Sequence, residues 1–143
     1  MKDVMITIKS VQSLDGAESD GAELITQGSY DYDEQAVRIS YMESELTGLE
    51  GTKTAFLITP DEVVLSRRGA VNAQMRFQRG KRCDFKYNTA YGVLSMGLDT
   101  RKMEWNMDEH GGDMEIEYDI NFDKSFLSHN IFKINVREKE LKS

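Results

Sequence analysis

The sequence predicts an all-β protein, built as a single closed antiparallel meander β-barrel of about eight to ten strands. Three observations carry that expectation. Almost every segment of the 143-residue chain alternates apolar and polar residues with period two, which is the signature of a strand with one buried face. Short turn sequences separate these segments. No run has helical spacing. Consecutive hairpin-like connections favour a barrel over an open sandwich, because closure removes sheet edges. One domain over residues 1–143 is expected, with a charged, frayed end from about residue 137.

Each element follows from its own pattern. Val4, Ile6 and Ile8 share a face of the first strand. Residues 13–23 are polar and glycine-rich and read as a loop. A second strand covers about Gly21 to Asp31. Val37, Ile39, Tyr41 and Glu43 share a face of the third, and Phe56 and Ile58 mark the fourth. Pro60-Asp61 suits a tight turn, since proline's fixed φ fits its second position. Val63, Leu65 and Arg67 share a face of the fifth strand. Met75 and Phe77 mark the sixth, and Gly80-Lys81 the turn after it. Phe85, Tyr87, Thr89 and Tyr91 mark the seventh strand, and Leu94, Met96, Leu98 and Thr100 the eighth.

Near Thr100-Arg101-Lys102 the apolar parity switches to Met103, Trp105 and Met107. A switch of one residue requires a bulge or a sharp bend. The next run places Met114, Ile116, Tyr118, Ile120 and Phe122 on one face. A hairpin turning through His110-Gly111-Gly112 would set Met107 opposite Met114, Trp105 opposite Ile116 and Met103 opposite Tyr118. Phe132, Ile134 and Val136 share a face of the last strand.

Composition narrows the chemistry. A net charge of −7 argues against nucleic acid as a partner. Residues 67–86 nevertheless hold seven bases and one acid, which suits an anionic ligand, an acidic partner or a solvated hairpin that balances acidic neighbours. No apolar stretch is long enough to span a membrane. The alternating start lacks the unbroken apolar run of a signal peptide, so a cytoplasmic location is expected. Cys83 is the only cysteine and reads as a small buried hydrophobe. Two histidines and no calcium-loop spacing give no metal site. No phosphate loop, dinucleotide fingerprint or nucleophile elbow is present, so no cofactor is expected. Nothing in the pattern sets an oligomeric state.

One group of residues stands apart. Parity turns Glu43 and Arg67 toward the same interior as their apolar neighbours. A buried charge needs a partner, so the two should pair with each other or meet water at an open barrel end. Parity also turns Tyr41, Tyr87, Thr89, Tyr91, Thr100 and Tyr118 inward, where their hydroxyls could join the same network.

Four stretches carry a resemblance. They are YMESELTGLEGTKTAFLIT, VVLSRRGAVNAQMRF, YNTAYGVLSMGLDT and EIEYDINF, which together span about residues 37–136. In order and spacing the chain resembles the YwiB-like bacterial family of unknown function, a calycin-like (lipocalin-like) β-barrel. The resemblance implies a closed antiparallel barrel and no established activity.

Three functional readings follow. The first is a binding module that holds a small anionic or amphipathic ligand in the barrel, through Tyr41, Glu43, Arg67, Tyr87, Thr89, Tyr91, Thr100 and Tyr118. The second is a structural or protein-interaction barrel whose polar interior is packing. The third is an enzyme using Glu43 as a buried carboxylate, for which the sequence supplies no further catalytic group.

Overall fold

Ten antiparallel strands pair in chain order and close on themselves. The computed structural model describes residues 2–14, 20–44, 49–122 and 125–139. The strands are β1 (Lys2–Leu14), β2 (Asp20–Tyr32), β3 (Val37–Met42), β4 (Lys53–Ile58), β5 (Val63–Arg68), β6 (Asn72–Phe77), β7 (Arg82–Thr89), β8 (Gly92–Asp108), β9 (Gly111–Phe122) and β10 (Ser125–Glu138). Every neighbour in sequence is a neighbour in space, and β1 pairs with β10 to close the barrel. The expected meander barrel is what the chain forms.

The interior is filled by the positions that alternation placed there. Val4, Ile6, Val37, Ile39, Phe56, Ile58, Val63, Phe77, Leu98 and Ile116 are among the buried core. Phe56 stacks on Phe132 with ring centroids 5.5 Å apart, and Phe77 meets Tyr118 edge-on at 5.0 Å. Both aromatic contacts cross the barrel axis, joining the short strands β4 and β6 to the long strands β10 and β9. Trp105 is only half-buried, packed against this core.

Strand length is uneven. β1, β2, β8, β9 and β10 run 12 to 17 residues, whereas β3 to β6 have six each. The seams between the two halves are short. β2 pairs with β3 only from Ser29↔Ser40 to Tyr32↔Val37. β6 and β7 pair only at Asn72↔Asn88 and Ala73↔Tyr87.

The parity switch in β8 is a bulge between Thr100 and Lys102. Thr100 and Met103 are both buried, so the extra residue keeps two apolar series of opposite parity on one face. The following hairpin differs from expectation in register. Asp108 pairs with Gly111, leaving Glu109-His110 as a two-residue loop, so Trp105 faces Met114 and Met103 faces Ile116. The slip is two residues, and the inward face is therefore unchanged. Gly111 and Gly112 lie inside the ladder, not in the turn. A Cβ on Gly111 would collide with the carbonyl of Val136, and one on Gly112 with that of Asn106. The glycines serve close strand approach.

Two boundaries also move. Much of the loop expected over 13–23 is strand, because β1 runs to Leu14 and β2 starts at Asp20, while 15–19 lie outside the described residues. Of the end expected to fray from about 137, Arg137 pairs with Met5 and Glu138 with Val4, while 140–143 lie outside the described residues.

Two stability outcomes follow. Phe56→Ala should cost about 3–5 kcal/mol in urea unfolding, the usual cost of emptying a fully buried aromatic site. Deleting Arg101 should abolish cooperative unfolding, because every inward residue from Met103 to Met107 would turn outward, whereas Arg101→Ala should keep the barrel. A deletion variant that melts like the parent would show that the bulge does not set parity.

Candidate functional site: a polar pocket at one end of the barrel

The ends of the odd-numbered strands and the starts of the even-numbered ones lie together at one end of the barrel. Toward that end the inward series turn polar. Val4, Ile6 and Ile8 of β1 lead to Ser10 and Gln12. Val37 and Ile39 of β3 lead to Tyr41 and Glu43. Val63 and Leu65 of β5 lead to Arg67. Val136, Ile134 and Phe132 of β10 lead back to Asn130 and Ser128. Polar side chains inside a barrel need hydrogen-bond partners, from the protein, from water or from a ligand, and here the strands gather them at one end.

Tyr41, Glu43, Arg67, Tyr118 and Asn130 line a cavity of about 630 Å³ at this end, with Ile8, Leu24 and Phe132 among its apolar walls. The β2–β3 ladder beside it is short, since among the described residues β2 has no β3 partner before Ser29. Glu43 is 6% exposed. Its backbone N–H donates to the Thr52 carbonyl at 2.8 Å, which holds the residue against the start of β4. The Thr54 hydroxyl donates to Glu43 Oε1 at 2.8 Å. Arg67 lies beyond Thr54 in the register, on β5.

Glu43 and Arg67 do not pair with each other. Glu43 Oε2 and Arg67 Nε are both buried and have no hydrogen-bond partner among the described residues. Both belong to the wall of the same cavity. Burial pushes the Tyr41 phenol well above the usual tyrosine range, with Glu43 adding to the shift and Arg67 opposing it. Burial likewise raises Tyr118, again opposed by Arg67. Both phenols are therefore neutral near pH 7 and can donate or accept.

The other expected residues fall outside this group. Thr100 is buried opposite Tyr118, but it does not line the cavity. Tyr87 is partly buried against the core, also away from the cavity. Thr89 and Tyr91 do not face the interior. Tyr91 is 101% exposed at the β7–β8 turn. The Thr89 hydroxyl accepts from the Tyr91 N–H and donates to the Gly92 carbonyl, both at 3.1 Å. The reason is length. β6 begins at Asn72, opposite Asn88, and β8 meets β9 only from Met96. Beyond those points β7 and β8 have only each other, so their inward face has nothing to enclose.

The sequence reading missed Thr54, Ser10, Gln12 and Asn130. Parity could have found all four, since each continues an apolar inward series past its final hydrophobe, Thr54 that of Phe56 and Ile58.

A second polar cluster sits on the outer face at the β8 bulge. His129 Nδ1 lies 2.6 Å from Asp119 Oδ1, and Nε2 lies 2.8 Å from Glu117 Oε1. The bulge residue Arg101 donates through Nε to Asp119 Oδ2 at 2.5 Å. Asp119, on the outward face of β9, is only 4% exposed beneath these partners. Its hydrogen bond, followed by that of Glu117, raises the His129 pKa above its usual value, against the effect of burial. Among the described residues no group of three His, Cys, Asp or Glu could hold a metal ion. No helix among them is long and apolar enough to cross a membrane.

The fold and this pocket define a small closed antiparallel β-barrel with one polar, open end. The chain belongs to the DUF1934 family, a domain of unknown function whose model matches residues 6–134. It is 30% identical over 129 residues to the uncharacterised β-barrel protein YwiB of Bacillus subtilis, covering 90% of this chain and 89% of that one. The crystal structure of the ywiB protein from Bacillus subtilis superposes with a TM-score of 0.86 at 26% identity, over 97% of this chain and 93% of that one.

The outer cluster predicts a pH dependence. A histidine whose folded pKa is raised contributes stability that is fully present below its unfolded pKa, about 6.5, and is lost as pH rises through the folded pKa. The melting temperature should therefore fall in a step above about pH 6.5, and His129→Gln should remove that step. His110 is also raised, by its hydrogen bond to Glu138, but it is exposed, so His110→Asn should leave most of the step in place. An unchanged step in His129→Gln would contradict the assignment.

Proposed function

We propose that the barrel is a binding module for a small ligand held at its polar end. The observation that carries this reading is the pair of buried, unpartnered polar atoms, Glu43 Oε2 and Arg67 Nε, in the wall of one open cavity. Buried polar groups are normally satisfied within a protein. The hydroxyls of Thr52 and Thr100 are also buried without a partner, but only Glu43 and Arg67 are charged and face a cavity of small-molecule size, which supports a ligand site. Tyr41, Tyr118 and Asn130 add hydroxyl and amide groups to orient the ligand, while Ile8, Leu24 and Phe132 offer apolar area. Use of an open barrel end in this way is lipocalin-like.

A structural role for the polar interior is the competing reading. Thr54 does satisfy one oxygen of Glu43, but Arg67 gains nothing from that bond. For the third reading, Glu43 as a catalytic acid or base, Ser10 and the exposed Glu23 also line the cavity, but the Glu43 carboxylate is bonded to Thr54 rather than to either.

Thermal and urea unfolding of Glu43→Gln and Arg67→Met separate the first two. In a ligand site the charges are held at the expense of stability, so each variant should lie within about 1 kcal/mol of the parent or above it. A structural ion pair would instead lose about 3–5 kcal/mol when either partner is removed.

A further inference from the structure

We infer that the polar head of the ligand is net neutral and carries a hydrogen-bond donor and an acceptor side by side, as a primary amide or an α-amino acid does. This rests on the binding reading above and specifies it. The two incomplete atoms ask for opposite things. Glu43 Oε2 is an acceptor in need of a donor, and Arg67 Nε–H is a donor in need of an acceptor. Thr54 already supplies Glu43 Oε1 and the Tyr41 phenol also bonds to the carboxylate, yet Oε2 keeps no partner of its own, so a ligand in the cavity can supply its donor.

A simple anion cannot complete this site. A carboxylate or phosphate would satisfy Arg67 but would bring a second negative charge into the pocket of a buried carboxylate. An organic cation would satisfy Glu43 and meet Arg67. An amide gives its carbonyl to Arg67 and its N–H to Glu43. An α-amino acid gives its carboxylate and ammonium to the same two groups. Both add no net charge to the pair. The neutral phenols of Tyr41 and Tyr118 lie on the same wall and can turn to either polarity. Beyond them Ile8, Leu24 and Phe132 suit an apolar body attached to that head. The earlier expectation of an anionic ligand rested on Arg67 and the basic block. The unpartnered Glu43 oxygen shifts it to a balanced head.

The test is a titration at pH 7 of nitrogen-labelled protein, followed by NMR, with five probes built on one eight-carbon chain. They are octanamide, α-aminooctanoate, N,N-dimethyloctanamide, octanoate and octylammonium. Octanamide or α-aminooctanoate should move the backbone amides of Tyr41, Glu43, Arg67 and Tyr118, and which of the two does so tells amide from zwitterion. The dimethylated amide, which has no donor, and the two singly charged probes should bind at least about tenfold more weakly, the factor expected for one unmet buried hydrogen bond. In Glu43→Gln the octanoate deficit should shrink. Octanoate or octylammonium binding the parent as tightly as octanamide would overturn the inference and leave a binding pocket. Failure of all five to move these amides would overturn the binding function itself.

Discussion

The pairing of β1 with β10 is the constraint on which the rest depends. Eleven residue pairs run from Val4↔Glu138 to Leu14↔Ser128, joining the two ends of the chain. Without that ladder the meander would be a curled sheet with two exposed edges, each a template for aggregation. With it, every strand has one face turned to an enclosed axis. An enclosed axis has two ends, and polar residues at one of them share a single opening. The apolar lower interior supplies the stability, so the polar end is free to carry groups that packing alone would reject.

Glu43 shows how the chain holds such a group. Its backbone is bonded to Thr52 and one carboxylate oxygen to Thr54. Gly69 helps to bring this corner together. It has a φ of 143°, and a Cβ there would collide with the Gly51 carbonyl and the Thr52 backbone. The β5–β6 turn therefore presses against the segment that anchors Glu43, and it carries Arg67 two residues before that glycine. The carboxylate is positioned firmly while one oxygen stays unmet, which is preorganisation of a site.

Much of this was legible in the sequence, because period-two alternation reports directly on burial. The ten strands, the inward Glu43 and Arg67, and the bulge near Arg101 all follow from parity. Parity names a face but not what stands opposite it. Thr89 and Tyr91 obey the alternation of Phe85 and Tyr87, yet they lie past the point where β6 begins, so the face they share encloses nothing. The Trp105 hairpin slipped by two residues for a related reason. Gly111-Gly112 looks like a turn, but the two glycines relieve contacts with Val136 and Asn106 that appear only once the strands are paired. The His129–Asp119–Arg101 cluster was hidden because it needs the β9–β10 register and the bulge together.

The central claim is that Glu43 and Arg67 are completed by something other than each other. It is tested most directly by a crystal structure of the protein purified from its own host without ligand exchange. Density for a small molecule is expected in the barrel end, with a donor on Glu43 Oε2 and an acceptor on Arg67 Nε. A structure in which the two side chains close on each other as an ion pair, in a pocket filled by protein atoms, would contradict it.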